Sequence, residues 1–370
     1  MRIAQVAPLY ESVPPRLYGG TERVVSYLTE ELVALGHEVT LFASGDSRTG
    51  ARLVSVYPEA LRLAAHPVDD VALSVLMLEE VARQADQFDL IHSHLEYLHL
   101  PILARASVPV LTTPHGRLDQ PHWPMLARSF PDAPLASISD SQRAPIPDAR
   151  WVGTVHHGLP EDAYRASTWA SGGNLLFLGR LSPEKRVDRA IEIAGRAGLP
   201  LRIAAKVGEP DRPYFEEVVR PLLRAPHVEF LGEVDEEQKE VLLREAVALL
   251  FPIDWPEPFG LVLIEAMACG TPVIAFRHGS VPELVEDGAT GAIVQTLDDA
   301  VGAVERVAQL DRRAIRARWE ERFTARRMAC EYLALYEQLL AGRRSETRPR
   351  EHLTRPAWLP ATPLAPLTHG

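Results

Sequence analysis

Residues 254–274 read DWPEPFGLVLIEAMACGTPVI, and this stretch is the most informative in the chain. A buried strand should end near Pro252, after which proline and glycine force a turn and a helix begins at about Gly260. The first amides of such a helix have no intrahelical partner, and with the helix dipole they form a site for an anion such as a diphosphate. Glu257 precedes this helix and Glu265 lies within it, so both carboxylates are placed to accept hydrogen bonds from hydroxyls beside bound phosphates. On spacing alone, a capping acid followed by a solvated helical glutamate is the simpler interpretation.

Strand-like and helix-like segments alternate along the sequence outside this stretch. Apolar runs such as Ile3–Ala7 and Asn174–Leu178 are typical of buried strands, and Thr21–Leu35 has its apolar residues at helical spacing. Strands separated by helices predict βαβ units and parallel sheets covered on both faces. Because the alternation occurs in two series, over 1–165 and 170–320, we expect an α/β protein of two doubly wound, Rossmann-like domains. Ligands of such sheets bind at the carboxyl ends of the strands, so two such edges can face each other across a cleft.

Three further segments complete the organisation. The stretch 162–173 is rich in Ala, Ser and Gly and suits a linker between the domains. Residues 312–340 are expected to be helical, and their last part, about 322–340, is expected to join the first domain. The Pro-rich tail 343–370 has little periodicity, and we expect it to be disordered.

The composition of the 370 residues is that of a folded, acidic protein. Hydrophobic residues make up 46% of the chain, enough for a sizeable core, and a formal net charge of -11 argues against a basic face that binds nucleic acid. No apolar run reaches the roughly 18 residues of a spanning helix, and the start of the chain is too polar for a signal peptide. Cys269 and Cys330 alone cannot build a disulfide framework or a structural zinc site. We therefore expect a soluble, cytoplasmic protein without stable membrane association; its oligomeric state is not indicated.

A second informative segment, LGRLSPEK at 178–185, follows the first strand of the second series. Arg180 supplies a planar fork of donors and Lys185 a point charge, a combination suited to two phosphate groups. The chain has only three lysines, and this rarity favours a function for Lys185. Because residues 1–165 contain no lysine and have a net charge of -7, we expect that part of the chain to be a poor surface for docking on anionic lipid. A pair of surface cations is the alternative interpretation of Arg180 and Lys185.

Two segments of the first series add to the pattern. YGGTER at 18–23 places Gly19 and Gly20 between the first strand and the first helix, where glycine permits close backbone approach. It is not the GxGxxG of dinucleotide-binding folds, which disfavours a nicotinamide or flavin enzyme. TPHGR at 113–117 follows an apolar strand, so His115 should point into the same cleft, although a lone histidine is more often structural.

In this order, the four segments resemble the GT-B glycosyltransferases of the retaining type, specifically glycosyltransferase family 4. The spacing of Glu257 and Glu265 is similar to that family's E-x7-E motif, and the resemblance extends from residue 19 to PELVEDGATG at 282–291. The resemblance implies a GT-B fold and the catalytic residues His115, Glu257, Lys185 and Arg180. It implies a donor site formed by Gly19, Gly20, Arg180, Lys185, Val234, Glu257, Phe259, Gly260, Leu261 and Glu265.

The resemblance also implies roles for the candidate site residues in the second series. Glu257 and the backbone of 259–261 would hold the hydroxyls of the donor sugar, and Glu265 would bind the ribose of the nucleotide. Arg180 and Lys185 would neutralise the donor diphosphate, helped by the amides of the helix that begins near Gly260.

Further roles follow for the remaining residues. Gly19–Gly20 would approach the diphosphate, His115 would contact the sugar near the reacting centre, and the loop 232–234 would lie against the base. Arg186 departs from the family pattern, which often has glycine after the lysine, and this departure concerns the local turn.

The activity implied by the resemblance is transfer of a hexose from a nucleotide-diphosphate sugar, UDP-glucose by default, with retention of configuration. The acceptor would be a hydroxyl of a sugar, a polysaccharide intermediate or a small molecule. The chain lacks the Asp-x-Asp motif that holds a metal in the other major glycosyltransferase fold, so we expect neither a metal nor another cofactor. Fixed cations and helix amides would stabilise the leaving diphosphate instead.

Two alternative functions remain. One is a GT-B sugar-phosphate synthase or phosphorylase, against which the E-x7-E pair favours a nucleotide donor. The other is a two-lobed protein that binds a sugar nucleotide without catalysis, against which the complete set of site residues argues.

Overall fold

The computed structural model describes residues 1–345 with the exception of Tyr18, Ala65 and Pro67. Most of the tail that we expect to be disordered, 346–370, lies outside the described residues. Within them, the chain forms two parallel sheets flanked by helices. In this part of the chain, no helix is both long enough and apolar enough to cross a bilayer.

The first sheet has seven parallel strands: β1 (Arg2–Val6), β2 (Glu38–Phe42), β3 (Arg52–Val54), β4 (Leu90–Ser93), β5 (Val110–Thr112), β6 (Leu135–Ser137) and β7 (Trp151–Thr154). Their spatial order is β3-β2-β1-β4-β5-β6-β7, so the direction of winding reverses between β1 and β4. In the register, Val6 is opposite both Phe42 and Ser93. The central strands β1 and β4 are buried on both faces, including their polar residues Gln5, His92 and Ser93.

The second sheet has six parallel strands: β8 (Leu175–Arg180), β9 (Leu201–Lys206), β10 (Val228–Gly232), β11 (Ala248–Phe251), β12 (Val273–Phe276) and β13 (Gly291–Val294). Their spatial order is β10-β9-β8-β11-β12-β13, and the winding reverses between β8 and β11. The first six strands of the N-terminal sheet and the six of the second sheet therefore have the same order, and ligands of such folds bind at the reversal.

The helices are α1 (Gly20–Ala34), α2 (Asp70–Arg83), α3 (Leu100–Leu103), α4 (His122–Ser129), α5 (Val187–Ala197), α6 (Arg212–Tyr214), α7 (Arg220–Leu222), α8 (Glu236–Glu245), α9 (Leu261–Ala268), α10 (Val281–Leu284), α11 (Leu297–Val307), α12 (Arg312–Arg322) and α13 (Ala325–Ser345). Short 3-10 turns occur at Leu61–Leu63, Ala85–Gln87, Ser141–Arg143, Pro183–Lys185 and Glu209–Asp211, and a π turn occurs at Phe215–Val219. We call the first sheet with α1–α4 and α13 the N-terminal half, and the second sheet with α5–α12 the C-terminal half.

The long C-terminal helical stretch differs from the prediction. The pattern over 312–340 indicates one helical segment, but the structure has two helices that are interrupted at Phe323 and Thr324. The interruption frees backbone groups for the segment that crosses between the halves: the Leu159 amide donates to the Phe323 carbonyl at 2.9 Å, and the Ala325 amide donates to the Leu159 carbonyl at 2.8 Å. Helix α13 then returns to the first sheet.

Helix α13 is part of the core of the N-terminal half. Its Met328, Tyr332 and Tyr336 are fully buried and pack in one cluster with Ile3 of β1 and Leu28 of α1. Burying side chains of this size stabilises the fold by about 1.5–3 kcal/mol each, so α13 is held firmly against the sheet.

Candidate active site

Several residues predicted for the site lie at the carboxyl ends of strands that flank the two winding reversals or are next to those strands. His115 follows β5, Arg180 ends β8 and Glu257 follows β11. Gly20 is the first residue of α1, and Gly19 is its N-cap. The two sheet edges therefore supply the site from opposite sides, as doubly wound folds do.

The two halves touch each other at this point. Ser139 of the N-terminal half donates a hydrogen bond through Oγ to the carbonyl of Pro258 at 2.7 Å. The Arg117 guanidinium lies 5.3 Å from the ring centroid of Trp255, and a Cβ added to Gly20 would lie 3.5 Å from Leu261 Cδ1. The N-termini of α1 and α9 are thus adjacent across the boundary between the halves.

Glu257 forms an ion pair with Lys185. Its carboxylate, which is 10% exposed, contacts Lys185 Nζ and accepts a 3.0 Å hydrogen bond from Trp255 Nε1. Lys185 Nζ also lies 4.8 Å from the centroid of the Trp255 ring, within the range of a cation–π contact. The loop is held closely from behind, because a Cβ at Gly279 would lie only 2.3 Å from the amide nitrogen of Glu257.

Glu265 is paired with a different lysine. Its buried side chain accepts a 2.7 Å hydrogen bond from Lys239 Nζ of α8. Burial lowers the pKa of Lys239, but the carboxylates of Glu265 and Glu236 outweigh this effect and hold the pKa above its ordinary value. The simpler interpretation from spacing is wrong, because Glu265 is buried rather than solvated and Glu257 does not cap α9.

Lys239 is a site residue that the sequence analysis missed. A usable signal was present, because the rarity of lysine that favoured Lys185 applies equally to Lys239. The capping box of α8, formed by Asp235 and Gln238, fixes the start of the helix and so the position of Lys239 one turn later.

Arg180 is held between two carboxylates. Its Nη2 donates to Glu184 Oε1 at 2.6 Å, and its Nε lies 3.2 Å from Asp211 Oδ2. In the same loop, Arg186 has φ 53° and ψ 49°, a left-handed conformation that glycine adopts most readily. Its guanidinium is paired with Asp188 at 2.8 Å. The departure from the family pattern thus falls on a residue whose backbone favours glycine.

The remaining predicted donor residues surround the start of α9. Gly260 is the N-cap of this helix with φ 87°, and no side chain caps the helix, so its first amides are available to an anion. Phe259 is buried, and its carbonyl accepts a 2.6 Å hydrogen bond from Ser280 Oγ. Val234 follows β10 and packs, partly buried, against the cluster that contains α9.

The backbone at His115 is fixed by two side chains. Glu96 Oε1 accepts hydrogen bonds from the amides of His115 and Gly116, at 2.9 and 3.0 Å. Gln142 Nε2 donates to the carbonyls of Pro114 and Gly116, each at 3.0 Å. Burial raises the pKa of Glu96 to about 7, although both amide hydrogen bonds oppose this shift.

The side chain of His115 lies among other uncharged polar groups. Its Nε2 is 2.9 Å from Nδ1 of His94, and its ring stacks on His157 with centroids 5.2 Å apart. Burial lowers the pKa of His115 to about 3 and places that of His94 well below its ordinary value. Both rings are therefore neutral at physiological pH. His157 in turn lies 4.6 Å from the ring of Phe259, which connects this group to the loop before α9.

The sequence matches two family profiles that together extend over both halves of the chain. The profile of Glycosyltransferase Family 4 matches residues 18–192, and that of Glycosyl transferases group 1 matches residues 171–325. Together the two matches span residues 18–325, and they identify a glycosyltransferase of the GT-B, family 4 type. This glycosyltransferase is 27% identical to the glycogen synthase of Mycobacterium tuberculosis, over 95% of this chain and 98% of that relative.

Solved structures confirm the predicted GT-B fold. AviGT4, a glycosyltransferase involved in avilamycin A biosynthesis, is 26% identical with a TM-score of 0.72, over 92% of this chain and 98% of AviGT4. HepE of Anabaena, solved in complex with UDP and glucose, is 18% identical with a TM-score of 0.67, over 91% of this chain and all of HepE. The predicted transferase activity is confirmed at the level of the family.

Proposed function

We propose that this glycosyltransferase moves a hexose from a nucleotide-diphosphate sugar, with UDP-glucose as the default donor, to a hydroxyl acceptor with retention of configuration. The arrangement around α9 carries this proposal: an uncapped helix N-terminus has two buried carboxylates beside it, Glu257 and Glu265, each paired with its own lysine. Uncapped amides attract a diphosphate, and carboxylates accept hydrogen bonds from the hydroxyls of a sugar and of a ribose. The complex of HepE with UDP and glucose supports the same class of donor.

In the proposed reaction, the bond between the anomeric carbon and the phosphate oxygen breaks. The acceptor oxygen bonds to the same face of that carbon, and its proton passes to the departing phosphate oxygen, so no protein nucleophile is required. Negative charge grows on the diphosphate, and groups that stabilise it more strongly in the transition state raise the rate. We assign this task, without a metal ion, to Arg180, Lys185 and the amides that begin at Gly260.

Donor binding then exchanges one set of ion pairs for another. In the structure, Lys185 contacts Glu257, and Arg180 contacts Glu184 and Asp211. When a diphosphate becomes the partner of both cations, Glu257 is released to accept hydrogen bonds from the donor sugar. The existing pairs hold the cations in place and limit the cost of leaving buried charges without partners.

We assign the acceptor to the N-terminal half, which also contributes to the donor site: His115 contacts the sugar near the reacting centre, and Gly19 and Gly20 approach the diphosphate. In the C-terminal half, the loop that contains Val234 lies against the base. The acceptor is a sugar, a polysaccharide intermediate or a small molecule. Residues 1–165 contain no lysine and have a net charge of -7, from 13 basic and 20 acidic residues, which supports an acceptor in solution over one in an anionic membrane.

The test is a transfer assay followed by NMR, with UDP-, GDP- and ADP-hexoses, a panel of hydroxyl acceptors, and EDTA in a parallel set. We expect one donor to be used, with the anomeric configuration of the donor in the product and the same rate in EDTA. An inverted product would contradict retention, and loss of activity in EDTA would contradict the metal-free site. Release of a sugar phosphate only with free phosphate would identify a phosphorylase, and nucleotide binding without turnover would identify a non-catalytic protein.

A further inference from the structure

A chain of hydrogen bonds connects His115 to the C-terminal helix. The Tyr336 hydroxyl of α13 lies 3.2 Å from Gln5 Nε2 of β1 and 2.8 Å from His92 Nδ1 of β4. Gln5 Oε1 lies 2.8 Å from His94 Nε2, and His94 Nδ1 lies 2.9 Å from His115 Nε2. All of these side chains except His115 are at most 1% exposed, so water does not replace these partners.

The direction of each hydrogen bond follows from the orientation of one amide. Gln5 presents its NH2 group to Tyr336 and its carbonyl oxygen to His94, so the facing Nε2 of His94 must donate. A neutral imidazole has one N–H, and therefore Nδ1 of His94 accepts. The proton between the two rings then belongs to Nε2 of His115.

We propose that Gln5 and His94 are positioning residues that hold His115 as its Nε2–H tautomer and keep Nδ1 as an acceptor for a hydroxyl of the bound sugar. The inference rests on the proposed function, because it places His115 against a sugar substrate. In the part of the chain that the structure describes, no residue forms a hydrogen bond with Nδ1 of His115. Nε2 of His115 thus bonds to His94, and Nδ1 is available to a hydroxyl of the sugar.

Two tyrosines of α13 provide a matched pair of variants. Tyr336 contacts Gln5 directly, whereas the Tyr332 hydroxyl, equally buried, lies 3.2 Å from Thr113 Oγ1. Tyr336→Phe removes the acceptor that orients the Gln5 amide, so either orientation then leaves one amide group unpaired. Tyr332→Phe removes the same atom from the same helix but leaves the branch from Gln5 to His115 intact.

The experiment is 15N NMR of the full chain labelled at histidine, with His115→Gln used to identify the signals of His115. In the wild type, we expect a protonated Nε2 and an unprotonated Nδ1. In Tyr336→Phe, we expect the proton to be divided between both nitrogens, and kcat to fall about tenfold with an unchanged KM for the donor, which is the scale of one buried hydrogen bond. Tyr332→Phe should leave both the ring signals and kcat as in the wild type.

A wild-type His115 protonated at Nδ1 would overturn the inference, and so would wild-type ring signals in Tyr336→Phe. Gln5→Met is the stronger variant, and the tyrosine pair decides the question if that variant does not fold. The ring signals are read without substrate, so a chain that turns over no nucleotide sugar would refute the proposed function and still decide the tautomer.

Discussion

The two sheet edges that meet at the candidate site differ in the charge of their side chains. The edge of the N-terminal half presents neutral groups: burial holds the pKa values of His94 and His115 far below the ordinary histidine value. The edge of the C-terminal half presents fixed charges, with Lys185 paired to Glu257 and Lys239 paired to a buried glutamate. On the proposed function, the N-terminal half contacts the sugar through neutral hydrogen bonds, whereas the cations of the C-terminal half balance the charge of the diphosphate.

The charged edge is tested most strongly at Lys185. Because we assign to Lys185 the stabilisation of charge on the leaving group, Lys185→Ala should raise the activation free energy by about 2–4 kcal/mol, which lowers kcat roughly 30- to 1,000-fold. Steady-state kinetics with the preferred donor measures this loss. Arg196→Ala is the control, because it removes an exposed cation at the end of α5 that pairs with Glu192 and Asp298 away from the site. A folded Lys185→Ala enzyme with normal turnover would contradict the assignment.

At the neutral edge, replacing His115 should reduce kcat about as much as replacing Lys185 does, but without weakening the binding of the nucleotide. His115→Ala removes the proposed contact to the sugar and leaves every cation in place. The activation free energy should therefore rise by about 2–4 kcal/mol, while the nucleotide alone binds as tightly as before. Kinetics and calorimetric titration with the free nucleoside diphosphate separate the two quantities. A weaker affinity of His115→Ala for the nucleotide would mean that His115 contributes to nucleotide binding, contrary to its assignment to the sugar.

The two carboxylates of the charged edge should differ from each other. Glu257→Gln should act mainly on kcat, since Glu257 is assigned to the sugar, and Glu265→Gln mainly on nucleotide affinity, since Glu265 is assigned to the ribose. Each loss should be about 1.5–3 kcal/mol, the range for a hydrogen bond to a charged group. The same pattern in both variants, in kinetics and in nucleotide titration, would argue against separate roles.

The neutral edge also predicts a dependence of stability on pH. His99 is fully buried, and burial lowers its pKa to about 3 from 6.5. Between these values the unfolded chain binds a proton that the folded chain does not, so stability falls on acidification by about 1.4 kcal/mol per pH unit below pH 6.5. The pKa values of Glu22 and Glu96, raised to about 7 by burial, act in the opposite direction between pH 7 and 4.5.

The variant His99→Gln isolates this contribution, because glutamine can still donate to Thr112 Oγ1, 2.7 Å from Nε2 in the structure. Urea unfolding at pH 7.5 and pH 5.5 should show a smaller loss of stability on acidification in His99→Gln than in the wild type. Equal losses would mean that His99 is protonated in the folded state.

The smallest effect is expected at Arg186, which joins the charged loop but has no assigned role in the reaction. Arg186→Gly relieves a left-handed conformation that costs about 1–2 kcal/mol and removes partly exposed ion pairs worth about 0.2–1 kcal/mol each. We expect stability within about 1 kcal/mol of the wild type and unchanged kcat. A large loss of kcat would assign Arg186 to the donor site.

The fold was predictable because its signals are local. The apolar runs of β8 and β11 and the mainly apolar segment of β1, each followed by turn residues, identify buried parallel strands. The short strands β3, β6 and β7 were missed, since three or four residues carry too little pattern to be distinguished from a loop. Helix α11 was also missed, although its capping box at Thr296 and Asp299 is visible in the sequence.

The positions of the candidate site residues in the fold were predictable only in part. Arg180, Lys185 and Glu257 stand in short motifs next to strand ends, where the topology requires a ligand edge. The network around His115 has no such signal, because Tyr336 follows its partner His92 by 244 residues and meets it only through the return of α13. Burial of Glu265 against Lys239 depends in the same way on the packing of α8 on α9.

The most direct test of the central claim is calorimetric titration of UDP, GDP and ADP into the wild type and Lys185→Ala, in EDTA. We predict that one nucleoside diphosphate binds the wild type without metal, and that Lys185→Ala weakens this binding about tenfold or more, as expected for a lost hydrogen bond to a charged group. No binding by any of the three, binding that requires a metal, or equal affinity in Lys185→Ala would contradict the account.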